Sequence, residues 1–306
     1  MIVRPNQHWL TRLFVWHGSV LEKIYSRLLL NLILSISVIF FLPWYETLGV
    51  KLTMAPFSVL GVAIAIFLGF RNSVCYARFN EARILWGQLA ITSRSLLREV
   101  KTVTGQHPGS VRTFINLQLA FCHSLRMSLR KLPQPEILSR YLSPEHVSWV
   151  SQSHACHNRI LVLMGEWLNE KRQQGLLSDI LWQSLNEHLN TLSSISGGCE
   201  RILSTPLPFA YSLILHRTVY IFCIMLPFAL VPDLHYMTPF LSVFISYTFI
   251  ALDSLAEELE DPFGTEDNDL PLDAICVSIE RDIRDMNNDN TNLPSALKPD
   301  RYYRLY

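Results

Sequence analysis

The stretch LDSLAEELEDPFGTEDNDLPLD, residues 252–273, concentrates carboxylates. Asp253, Glu257 and Asp261 recur every fourth residue and share one face if a helix continues that far. Like charges at that spacing repel unless bases, water or cations meet them. The plain reading is a helix passing into solvent and stopped by the turn at Pro262–Gly264. The functional reading is a cytosolic cation site or a negatively charged vestibule. Glu266, Asp267 and Asp269 offer the oxygen ligands that calcium takes, without the spacing of an EF-hand loop. A second group, His154, Cys156 and His157 in HACH, holds metal-type ligands at a spacing that fits no usual zinc pair, so a solvated loop is the simpler account. No Walker loop, GxSxG, HExxH or dinucleotide fingerprint is present. Catalysis therefore has no motif to stand on.

A third group carries no charge. Val62, Ile66 and Phe70 lie four apart in VLGVAIAIFLGFRN, with Gly61, Ala63, Ala65 and Gly69 between them. On a helix they form one slowly drifting stripe. Such a stripe packs against a neighbour that the small residues let approach, or it forms a hydrophobic constriction that gates by dewetting. The run holds no ionisable residue, as a pump or proton-coupled carrier normally would. One stripe per chain cannot enclose a hole, so a pore needs several copies around an axis.

The elements that must position these residues are apolar helices. Of the 306 residues, 49% are hydrophobic and 17% charged, against about a quarter charged in soluble domains. The formal net charge is zero, which gives no reason to propose a nucleic-acid partner. Runs near the length needed to span a bilayer, about 20 residues, occur at 28–45, 52–70, 217–234 and 237–256. Basic residues (Arg4, Arg12, Lys23, Arg27, Arg71, Arg78, Arg83, Arg201, Arg217) flank one side, and the short connections carry only Lys51 and His235. The positive-inside rule then puts both termini and the central section in the cytosol. No cleavable signal peptide is visible at the start.

The central section shows helical periodicity in RSLLREVKTVTG, VRTFINLQLAFCHSLRMSLRKL and SDILWQSLNEHLNTLSSIS, with a break marked by Pro133, Pro135 and Pro144. Six scattered cysteines without a CxxC pair argue against a disulfide framework. The expected organisation is a cytosolic segment (1–27), two transmembrane helices (28–70), a helical cytosolic region (71–210), two more transmembrane helices (211–256) and an acidic cytosolic tail (257–306), all in one folding unit.

Several stretches, in order, resemble the bacterial branch of the bestrophin family. Trp16, Gly18 and Ser19 match its W-x-G-S element. FLGFRN, preceded by Val62 and Ile66, resembles its neck helix. Arg78, Glu81, Arg83 and Trp86 fit R-aromatic-x-E-A-R-x-x-W. DILWQSLNEHLNTL (179–192) resembles its cytosolic segment, and AEELEDPFGTEDND (256–269) its A-E-x-L-x-x-P-F-G-acidic signature. The likeness covers nearly the whole chain except about the last 20 residues.

It implies an all-α membrane protein, four transmembrane helices per subunit plus a helical cytosolic region, assembled as a homopentamer around one axial pore. Val62, Ile66 and Phe70 would line the neck and Ile180 the cytosolic aperture. Arg71, Asp179, Asp253 and Glu257 are the vestibule charges that result. The protein would pass small monovalent ions across a bacterial inner membrane without being an enzyme, its partners being its own copies, lipids and ions. The family label is for chloride and other anions, while some bacterial members resemble cation-permeable channels, and sodium permeability stays open. Animal members have an unbroken acidic run after P-F-G that clasps calcium. Here Thr265 and Asn268 interrupt it, leaving Glu266 and Asp269 at ligand positions. Weaker cation binding and no required cofactor follow. The competing class is a membrane scaffold or sensor, or a metal-dependent membrane enzyme built on the acidic segment with His154 and His157.

Overall fold

The computed structural model describes all residues except 6–7, 48–52, 105–107 and 290–292. Lys51 and the connection it sits in lie outside the described residues. The described chain is helical: α1 (Trp9–Arg12), α2 (Leu21–Phe40), α3 (Leu42–Thr47), α4 (Met54–Thr104), α5 (Pro108–Arg130), α6 (Pro135–Leu138), α7 (Pro144–Ser151), α8 (Cys156–Gln173), α9 (Asp179–Ser204), α10 (Phe209–Leu234), α11 (Thr238–Glu260) and α12 (Leu272–Met286). The β-type pairing among the described residues is one isolated bridge, Ile2 to Arg304.

The chain divides into two compact units. One, the apolar unit, joins Arg4–Phe79 to Pro206–Pro262. The other, the polar unit, joins Met1–Val3, Asn80–Thr205 and Phe263–Tyr306. The segment boundaries expected at 70/71 and 210/211 fall inside α4 and α10. Helix α4 does not stop where its hydrocarbon stops, because nothing in FRNSVCYARF breaks a helix: its one proline, Pro56, lies in the first turn.

Among the described residues, three stretches are long and apolar enough to cross a membrane: Leu21–Phe40, Met54–Val103 and Phe209–Glu260. The third is a hairpin. A 3-10 turn at His235–Met237 joins α10 to α11. The Phe222 and Phe249 rings meet at 5.4 Å, and His216 Nδ1 lies 2.8 Å from Asp253 Oδ2, so the two arms run antiparallel. The apolar unit's core is built from Ile24, Ile64, Leu68, Val219, Phe222, Leu226 and Ile250. A Cβ on Gly61 would already touch Phe222 at 3.4 Å. One polar group ties three helices: Asn31 Nδ2 donates to the Cys223 carbonyl at 2.8 Å and its Oδ1 accepts from Ser242 at 2.9 Å. Such bonds are the usual polar glue of helices in lipid.

In the polar unit, α5 packs on α8, α9 and α12. Phe114 and Trp167 meet at 4.7 Å between ring centres. The expected break between cytosolic helices is present, with prolines opening α6 and α7. Helix α12 is an addition to the sequence reading, which left this stretch as an acidic tail. Its buried Leu272, Cys276, Ile279 and Ile283 follow helical spacing. The segment after α12 returns to the same unit, where the Ala274 N–H donates to the Tyr306 carbonyl at 2.7 Å.

Candidate functional site

Within α4 the two faces of the apolar run part company. Ile64, Leu68, Arg71 and Cys75 turn into the unit and are buried. Val62, Ile66 and Phe70 stay 62%, 53% and 63% exposed. The stripe is therefore left largely uncovered by the described residues of its own chain. The packing role belongs to its neighbours two residues along, the offset a helix needs to present the opposite face.

The step at Arg71 is a second feature. Arg71 and Asp253, read separately as vestibule charges, meet in one buried ion pair, their side chains 5% and 3% exposed. Arg71 also lies 3.9 Å from Glu260, and His216 shares the Asp253 carboxylate. Buried charge is tolerated only when paired and hydrogen-bonded in this way. In the isolated chain this pair presents no free charge. Glu257, one turn beyond Asp253, is exposed, and Glu258 beside it turns in to meet Lys23 at 2.8 Å. The expected common face of Asp253, Glu257 and Asp261 does not form, because α11 ends at Glu260 and Asp261 leaves the helical conformation.

Ile180 and Asp179 open α9 in the polar unit. Ser178 caps the helix, accepting from the Leu181 N–H at 3.3 Å. That cap fixes the first turn and leaves Ile180 81% exposed. Arg172 Nε donates to Asp179 at 2.7 Å and its guanidinium covers the Trp182 ring at 5.3 Å. The charge beside the expected aperture is therefore partly neutralised.

The acidic turn is held by the protein itself. Asp269, 3% exposed, accepts from the Glu266 N–H at 2.7 Å. Arg304 pairs with Asp267 at 2.8 Å. In HACH, His154 stays exposed while His157 is buried against Glu200 at 2.9 Å. Burial lowers the His157 pKa, with Glu200 opposing it. Among the described residues, no three His, Cys, Asp or Glu side chains gather as a metal ion requires.

The partners His216, Lys23, Arg172 and Arg304 were not visible from sequence. Each lies on a different segment from the acid it meets, except Arg172, seven residues before Asp179 across a helix start. Spacing rules act within one helix and do not reach across segments.

A family profile described as Bacterial/Fungal Bestrophin protein matches residues 1–285. The voltage-dependent anion channel-forming protein YneE of Escherichia coli is 67% identical over 305 residues, 100% of both chains. A voltage-dependent anion channel-forming protein of Ralstonia nicotianae is 41% identical over 288 residues, 94% of each chain. The crystal structure of a bacterial bestrophin homologue from Klebsiella pneumoniae is 53% identical and superposes with a TM-score of 0.86, covering 87% of this chain and 99% of that one. A mostly helical chain with stretches long and apolar enough to cross a membrane, matched by this profile over nearly its full length, belongs to the bacterial and fungal bestrophin family.

Proposed function

We propose that the protein is a bestrophin-type channel that passes small monovalent ions passively through an axial pore formed by five copies. Each copy contributes four membrane spans: α2, the apolar start of α4, and the two arms α10 and α11. The arms, of 26 and 23 residues, are each long enough for a hydrocarbon core of about 30 Å. Both termini and the polar unit lie on the cytosolic side of a bacterial inner membrane, the side that the basic flanks favour.

The observation that carries this reading is the exposed stripe Val62, Ile66 and Phe70. Placed around an axis, it forms an apolar neck that passes ions only when wetted. Ile180 forms the second constriction. Working without a required cofactor is part of this reading, and the protein partners of Asp267 and Asp269 support it. The relatives' names support anions as the cargo. A second, cation-permeable reading is favoured by Asp179, whose side chain is 81% exposed beside Ile180.

The test is a reversal potential in asymmetric sodium chloride, measured on purified protein in a planar bilayer. Current is expected, and the sign of the shift separates anion from cation permeation. Ile66→Ala and Phe70→Ala should raise single-channel conductance several-fold by widening the neck. Conductance and selectivity unchanged in both variants would remove these residues from the pore.

A further inference from the structure

The polar unit contains a cavity of about 380 Å³ that the channel reading does not use. It opens to solvent and is bordered by the end of α5, the chain into α6, the end of α7 and the start of α8. Cavities of about 300–1,000 Å³ hold small molecules. Part of its lining is apolar, from Met127, Pro133, Pro135 and Leu138. The rest is rich in donors, among them Lys131 and the hydroxyls of Ser124, Ser128, Ser151 and Ser153, and no carboxylate side chain lines it.

Three observations point to a ligand. Ser124 is 1% exposed and its Oγ has no hydrogen-bond partner. Buried hydroxyls are almost always partnered, and an orphan calls for an explanation. Lys131 sits at φ 54°, in the left-handed region that a lysine disfavours. There its N–H bonds the Ser128 carbonyl while the Leu132 N–H bonds Met127, a helix ending normally given to glycine. Lys131 is one of the residues lining the cavity. Finally, α8, 18 residues long, starts at Cys156 without a side-chain cap, and Cys156 lines the cavity, so the positive end of the helix dipole borders it.

Lysine, hydroxyl donors and a helix start together suit negative charge. The C-terminal ends of α5 and α7 border the same cavity and, as negative dipole ends, disfavour a multiply charged anion. We propose that this cavity binds a small monocarboxylate with a compact apolar body such as a phenyl ring, its carboxylate held by Lys131 and the serine hydroxyls and its body resting on Met127 and Leu138.

Cys156 lines the cavity and is partly exposed, whereas the other five cysteines are buried. Its rate of labelling by a maleimide therefore reads occupancy in the full-length protein. Phenylacetate should slow labelling saturably and several-fold. Phenylacetamide, acetate and inorganic phosphate should not at equal concentration. Lys131→Gln, at an exposed position, should abolish the protection and Lys131→Arg should keep it. The proposal is overturned if phenylacetate leaves the rate unchanged up to its solubility limit, if the amide protects equally, or if Lys131→Gln is protected like the parent.

Discussion

Arg71 and Asp253 form a buried ion pair in the apolar unit. Both are buried, so removing one partner strands the other, a loss of about 3–5 kcal/mol. Arg71→Met and Asp253→Asn should each lower the thermal unfolding midpoint in detergent sharply. The double variant Arg71→Met with Asp253→Leu should recover most of the loss, because apolar replacements of similar volume remove the need for a partner. Equal stability of the single variants and the parent would mean that water reaches the pair. Both residues were legible in the sequence as charges at a membrane boundary. Their union was not, since 182 residues separate them and no periodicity spans that distance. The opposite case is Val62, Ile66 and Phe70. Their common face follows from a spacing of four, and only the identity of the buried face, Ile64 and Leu68, needed the fold.

At the scale of elements, α9 carries two adjacent glycines with different surroundings. A Cβ on Gly198 would lie 3.0 Å from both methyl carbons of Leu85, whereas one on Gly197 meets nothing within 4 Å. Gly198 is thus the close approach of α9 to α4, and Gly197 is only a weak helix former. Gly197→Ala should stabilise the protein by about 1 kcal/mol, the helix-propensity difference. Gly198→Val should destabilise it by about 1–3 kcal/mol through overpacking. Unfolding midpoints moving in opposite directions would check both. The sequence shows both glycines and cannot rank them, because the ranking depends on a leucine from another helix. Helix α12 failed to register for a different reason: its acidic neighbourhood masked an apolar spacing that was present all along. Conversely, the hydrocarbon run before Arg71 marked where α4 changes environment, and that change does not end the helix.

For the whole molecule, acid is the expected weakness, and it lies in the polar unit. Burial holds the His157 pKa below its usual 6.5, against the pull of Glu200. The unfolded chain then binds the extra proton first, so the contribution of His157 is complete above pH 6.5 and declines as pH falls. Burial tends to raise the Glu280 carboxyl, but hydrogen bonds from His123, Arg284 and Tyr141 outweigh it and bring it from 4.5 to about 2. Its contribution is complete above pH 4.5 and is lost between there and about 2. Thermal stability should therefore fall in two stages on acidification, and Glu280→Gln should flatten the second, at a cost near neutral pH of about 2 kcal/mol. A midpoint independent of pH between 7 and 3, on the scale of these pKa values, would contradict both assignments. The division into two units bears on something else, the order of synthesis. The apolar unit is split in sequence, with the whole stretch Asn80–Thr205 of the other unit between its halves. At a ribosome speed of about 5–20 residues per second, Asp253 is made roughly 10–40 s after Arg71. For that interval α2 and α4 lack the hairpin that completes their core, and Arg71 lacks its Asp253 partner. The apolar unit is therefore closed only after the helices α5 to α9 have already been made.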